Sequence, residues 1–518
     1  MSVISRYRWR FSIRMTLTFS ALILALVFTL SAGTLAYAAS LTQISSDPFT
    51  NATSNHKTEV EPGTFAFGNT IVSAFQQGRF FDGGGSDIGF ATSINGGQTW
   101  VHGSLPSTTV NSTPPGPYAR ASDASVAFDA KHNVWIISYL GIVNPSGPVD
   151  VDVSRSTNGG LTWSAPVVVN NDGQFNDKNW TTCDDTAKSK FYGNCYTEFD
   201  DNSKLNLFQM STSTDGGLTW GAAQTNPANT CVIGGQPVVQ PNGTVIVPID
   251  DCLETSILSI TSTDGGKTWS NPVTAAQLLN DGHPGNIRSP DLISAEIDNS
   301  GRVYVVWTDC RTEDFCNTGN NDLLLITSTD GINWSSPARI PTSSVGCTSA
   351  SCVDILIPGL AVDRNTSGST AHLAVVYYTF PTIFCNATGT ASTPACQLNV
   401  GFLDSINGGA SWSSPVQLAG PMTLTWLPLT TQGFMVADYL STAIVPGGDH
   451  ANPVFEVASA PTMGKTCSNI NTGAPGRNCN QATFTSLQAL VGGANAATSV
   501  PATNLAQPKP TSSRKTAY

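Results

Sequence analysis

One octapeptide recurs along the chain and restricts its fold more than any other feature. It reads SINGGQTW at 93–100, STNGGLTW at 156–163, STDGGLTW at 213–220, STDGGKTW at 262–269 and SINGGASW at 405–412, with a shortened copy, STDGINW, at 328–334. Each copy follows an apolar, β-rich run such as DIGFATS or LNVGFLDS, and most precede a second short strand such as SAPVVV. Strand, turn, strand is a β-hairpin. The paired glycines supply positive φ, and the Asp or Asn at the third position can bond nearby backbone amides. The closing Trp has a large ring to pack against adjacent strands. Repetition of one such unit predicts an all-β array of antiparallel sheets.

The octapeptide is similar to the Asp-box, or BNR repeat, and the chain resembles the sialidase-like β-propellers over most of 41–490. That resemblance implies blades of four antiparallel strands, with each box on the hairpin between the two outer strands and away from the ligand face. The box residues Asn95, Trp100, Asn158, Trp163, Asp215, Trp220, Asp264, Trp269, Asp330, Trp334, Asn407 and Trp412 are then structural. Box starts lie 49 to 77 residues apart. At that spacing the segment 41–490 holds about seven blades, with six as the alternative. The boxless last blade would use 434–445, 453–460 and 482–490, with Leu41–Ser45 closing it as the outermost strand.

Composition and the ends of the chain add a compartment. Charged residues are 12% of the whole, about half the usual share for a soluble domain, which argues against a cytosolic helical protein or a coiled coil. A net charge of −12 excludes sequence-independent binding of nucleic acid. Arg6, Arg8, Arg10 and Arg14 precede an apolar run from Met15 to Leu30, and Ala36-Tyr37-Ala38 offers small residues at a cleavage site. Residues 1–38 therefore read as a signal peptide, 39–490 as the propeller and 491–518, rich in Ala, Thr and Pro, as a disordered tail. A secreted, monomeric protein without a stable membrane span is expected. The twelve cysteines fall in couples, Cys183/Cys195, Cys231/Cys252, Cys310/Cys316, Cys347/Cys352, Cys385/Cys396 and Cys467/Cys479, and an even count in an exported chain reads as disulfides between neighbours. No CxxC pair is present, so zinc spacing is absent.

The ligand face follows from strand direction. In a four-stranded blade the loop between the second and third strands and the connection between blades lie opposite the boxes. This places Arg79, Asp82 and Asp87 there, with Arg120, Asp123, Asp177, Lys178, Trp180, Glu198, Asp200 and Asp201, then Arg288, Asp309, Arg311, Glu313, Asp314, Asp438 and Tyr439. A sialidase sets three arginines around its ligand's carboxylate, because guanidinium groups pair with it bidentately. The resemblance implies Arg79, Arg288 and Arg311 for that role, Tyr439 as nucleophile with Glu296 or Glu61 beside it, and Asp87 or Asp82 as general acid. The family's Arg-Ile-Pro signature belongs before the first box; here Arg339-Ile340-Pro341 follows the fifth, on an expected outer strand. Two functions stay open: an exo-glycosidase acting on terminal acidic sugars, and a non-catalytic propeller binding glycan or protein. No resident metal or cofactor is expected; Asp200-Asp201, Asp250-Asp251 and the acids at 309–314 offer only unordered oxygen ligands for Ca²⁺.

Overall fold

The computed structural model describes residues 40–312, 316, 319–343, 352–462, 466–469, 471–476 and 479–493. The expected signal peptide, most of the expected tail, Glu313, Asp314 and Cys347 lie outside the described residues.

Antiparallel strands and a few three-residue 3-10 turns make up the regular structure. Sheet 1 comprises Glu59–Phe67, Thr70–Arg79, Gly85–Ser93 and Val101–Ser104; sheet 2 comprises Arg120–Asp129, Val134–Ile142, Val149–Ser156 and Val167–Asn170. A single pair, Gly85 with Ala121, links these two. Sheet 3 holds Asn176–Cys183, Cys195–Asp201 and Leu207–Ser213, and sheet 4 is built on Val245–Asp251, Ser256–Ser262 and Val273–Gln277, with Val232–Ile233 and Val238–Val239 sharing its first edge. Sheet 5 runs from Ser294–Ile297 through Val303–Asp309 and Asp322–Ser328 to Ala338–Ile340, and sheet 6 from Asp354–Val362 through Leu373–Phe380 and Gln397–Ser405 to Val416–Thr423. A two-stranded hairpin, Leu429–Thr430 with Gly433–Phe434, precedes sheet 7. Sheet 7 joins the two ends of the described chain. Its strands Ser441–Ile444, His450–Ala458 and Gln481–Thr485 are completed by Thr42–Gln43, which pairs with Phe484 and Thr485. The first strands of the seven sheets pack side by side in cyclic order, the seventh returning to the first.

Each box closes the turn between the third strand of its sheet and the segment that follows. Ser213 Oγ donates to Asp215 Oδ1 and accepts from Gly217 N at 2.9 Å, while Asp215 Oδ1 accepts from the amides of Leu218 and Thr219 at 3.0 Å. The same Ser and Asp/Asn bonding recurs at 93–99, 156–162, 262–268, 328–333 and 405–411. Every box also leans on the preceding sheet. Gly160 has φ +80°, its carbonyl accepts from Thr92 Oγ1 of sheet 1 at 2.7 Å, and a Cβ there would meet Val72 Cγ2 at 2.7 Å. The second glycine is therefore required twice, by its dihedral and by its neighbour. Trp163 enters the core between sheets 1 and 2, Trp269 meets Phe208 edge to face, and Trp412 is fully buried.

A second repeated device lies at the other end of the first strands. Four of them carry one extra residue against their partner strand, at Val60–Gly63, Ser122–Ser125, Asp177–Trp180 and Leu356–Gly359. In each, the residue just inside the bulge has positive φ: Glu61 59°, Asp123 49°, Lys178 51° and Ile357 52°. Such bulges re-aim side chains, and here they set Glu61, Asp123 and Lys178 into one cluster.

The cysteines pair with their neighbours in sequence. Cys183 is bonded to Cys195, Cys231 to Cys252, Cys310 to Cys316, Cys385 to Cys396 and Cys467 to Cys479. Five of the six expected couples thus stand as expected. Cys352 is disulfide-bonded as well; the sixth expected couple, Cys347 with Cys352, falls partly outside the described residues because Cys347 does. No cysteine among the described residues is free.

Candidate functional site at the bulged strand ends

Asp438, in the loop that leads into sheet 7, is the centre of the cluster. Arg288, from the loop before sheet 5, grips it bidentately, with Nε donating to Oδ1 at 2.7 Å and Nη2 to Oδ2. Lys178 Nζ donates to Asp438 Oδ2 at 2.8 Å and stands 3.6 Å from Asp123 Oδ2. Asp123 Oδ1 accepts from Ser122 Oγ at 2.6 Å. Glu61 takes the side-chain amide of Gln76, which also donates to Ser122 Oγ at 3.0 Å. Arg79 is enclosed behind them, donating Nη1 to Gly84 O at 3.0 Å and to Gln76 Oε1 at 3.3 Å, with Nε against Met435 Sδ. Tyr439 is buried, its hydroxyl 3.4 Å from Ala124 O, and its ring meets the half-buried Trp180 edge to face at 5.4 Å.

The electrostatics split these acids. Burial would raise Asp438, but the Arg288 guanidinium and Lys178 ammonium hold it well below the usual carboxylate range. Burial, with Asp123 and Asp438 nearby, pushes Glu61 well up. Burial also raises Asp177 to about 6, and raises Asp200 well above its ordinary value with help from Asp177 and Glu198. Tyr439 is pushed up by burial and then by Glu61, which makes its phenolate costly.

The residues expected from sequence divide sharply. Arg79, Arg288, Tyr439 and Glu61 come together. Arg311 is a correction: its guanidinium grips Asp309 at 2.7 Å and the Gln277 carbonyl, and none of its partners belongs to the cluster. Glu296 is another, since it pairs with Arg364 at 3.2 Å and lines a cavity with Thr64, Phe65, Trp180, Gln236 and Ser294. Asp87 is a third. It is closed off beside Ser112, whose hydroxyl donates to it at 2.8 Å, and burial raises it to about 8. Asp82 is bound by Arg120 at 2.6 Å rather than by Arg79. Arg339 lies on the last strand of sheet 5 and pairs with Asp322 at 2.5 Å. Glu198, Asp200 and Asp201 sit within the second strand of sheet 3, not in a loop after it. Among the described residues no group of three His, Cys, Asp or Glu side chains is arranged to hold a metal ion, and no helix is long and apolar enough to cross a membrane.

Sequence reasoning put Lys178, Asp123 and Asp438 on this face without selecting them. A second repeat, Val60-Glu61-Pro62-Gly63 against Leu356-Ile357-Pro358-Gly359, marks the bulge in two sheets, but no shared letters mark it at Asp123 or Lys178.

A family model described as the BNR repeat-like domain matches residues 69–389. The chain belongs to that family. This BNR-repeat chain is also 23% identical over 331 residues to a sialidase of Bacteroides fragilis, a match spanning 57% of this chain and 56% of the relative. It thus covers about half the length of that curated relative. Similar solved structures include a leech intramolecular trans-sialidase (12% identity, TM-score 0.43, covering 65% of this chain and 67% of that one) and the Hadza microbial sialidase Hz136 (14% identity, TM-score 0.43, 84% and 66%). The chain has a sialidase-like BNR fold.

Proposed function

We propose that this chain is an exported, seven-bladed β-propeller that binds glycans at the Asp438 cluster and does not hydrolyse sialosides. One observation carries the second half of that reading. The bidentate edge of Arg288 is taken by Asp438, that of Arg311 by Asp309, and Arg79 is enclosed on Gly84, Gln76 and Met435. A sugar carboxylate would have to displace an internal one that two cations already hold. Kinship with a sialidase supports a glycan as the ligand class, and the half-buried Trp180 beside polar groups is the kind of surface on which a sugar ring stacks. Seven sheets in cyclic order support seven blades, and the disulfides between described cysteines support an oxidising compartment. The acidic balance keeps nucleic acid out of the partner class.

A hydrolytic reading of the same cluster has one observation in its favour: Glu61 and Asp438 are pushed in opposite directions, as the acid and the ionised partner of a glycosidase are. Binding of the secreted protein to an immobilised panel of neutral, amino and acidic glycans tests the proposal. Saturable binding lost in Trp180→Ala is expected; no binding anywhere on the panel overturns it.

A further inference from the structure

The sheet-3 side of the site is built differently from its cationic centre. Asp177 pairs in register with Asp200, and Trp180 with Glu198, on either side of the extra residue at 178–179. Register partners share a face, and so do Glu198 and Asp200, two apart on one strand. The bulge therefore aligns three carboxyls and one indole on a single face. Asp200 is fully buried, and neither of its oxygens has a hydrogen-bond partner among the described residues. Glu198 is equally buried and has only the Gly235 amide beside it. None of the three acids forms an ion pair among the described residues, whereas Lys178 and Arg288 are both matched by Asp438. Gly235 packs tightly against this strip: a Cβ there would stand 2.8 Å from Glu198 Oε2 and 2.6 Å from Ile249 Cδ1, so only glycine lets the backbone pass this close to the carboxyl.

Buried carboxyl oxygens without partners are costly unless something donates to them. Acids beside an indole face are what an ammonium group prefers, through charge-assisted hydrogen bonds and cation–π attraction. Resting on the glycan-binding reading above, we infer that Asp177, Glu198, Asp200 and Trp180 form a subsite for the free amine of an amino sugar. The site is thus of the opposite sign to one that holds a sugar carboxylate.

Titration calorimetry with a glucosamine tetrasaccharide, its N-acetylated counterpart and 3′-sialyllactose tests this. The amine is expected to bind at least about tenfold more tightly than either of the others, and Asp200→Asn is expected to erase that preference. Asp177→Asn, at the solvent edge, gives the same reading should Asp200→Asn fail to fold. Equal or tighter binding of the acetylated or sialylated sugar overturns the amine subsite while leaving a glycan site in place. Equal, Asp200-dependent binding of tetralysine overturns the sugar assignment. Binding of none of the three sugars overturns the subsite and the glycan reading together.

Discussion

Asp438 is the residue on which the site depends. It is the shared counter-ion of Lys178 and Arg288 in a place where water hardly reaches. Removing one member of a buried ion cluster leaves the others uncompensated, which typically costs about 3–5 kcal/mol. Asp438→Asn is therefore expected to lower stability by that order in urea titrations, with the two cations losing order together. Unchanged stability would mean that the cluster is solvated. The buried acids act in the opposite sense with pH. Asp87 is raised to about 8, so the folded state holds its proton where the unfolded chain, near 4, has lost it. Its contribution is present below about pH 4 and is lost as pH rises toward 8, at up to about 1.4 kcal/mol per pH unit. Asp87→Asn should flatten the fall of Tm across that window; a variant with the wild-type slope would contradict the assignment.

At the scale of elements, the box and the bulge were unequally legible. The box announces itself because its chemistry is local: a Ser, an Asp or Asn and two glycines satisfy one turn, so the same letters recur. What the letters do not give is why the second glycine is kept. Gly159 has a positive φ and open space, whereas Gly160 has a positive φ and sheet 1 against it. Gly159→Ala is expected to cost about 1 kcal/mol for the left-handed backbone, and Gly160→Ala about 1–3 kcal/mol more for the collision with Val72. Equal costs in denaturation would show that the boxes do not brace their neighbours. The bulges left a fainter trace, since Glu61-Pro62-Gly63 and Ile357-Pro358-Gly359 share letters but Ser122-Asp123-Ala124 and Asp177-Lys178-Asn179 do not. Their common feature is a positive φ on a non-glycine residue, which tertiary packing imposes and composition does not encode. Assigning Glu296, Asp87 and Arg311 to the site failed for this reason. Strand direction gives a face, but only the bulges decide which side chains on it meet.

For the whole molecule, the closing strand matters most. Thr42–Gln43 pairs with Gln481–Thr485, Ile44 N donates to Thr483 O at 2.9 Å, and Ser45 Oγ accepts from Thr483 N at 2.8 Å. That pairing was readable from the arithmetic of the repeat, because the boxes leave one sheet without its outer strand. Deleting residues 40–46 should open sheet 7 to exchange before the others; uniform amide exchange would contradict closure through this strand. The five disulfides between described cysteines, by contrast, tie short local loops and say little about the ring. Their pairing between neighbours agrees with the expectation from sequence, while the function did not follow from the fold, which leaves the site to its own residues. The most direct measurement is hydrolysis of a fluorogenic sialoside by the purified protein. With Arg288 committed to Asp438, no turnover above buffer is expected, in the wild type or in Arg288→Ala. Turnover by the wild type that disappears in Arg288→Ala would contradict the account.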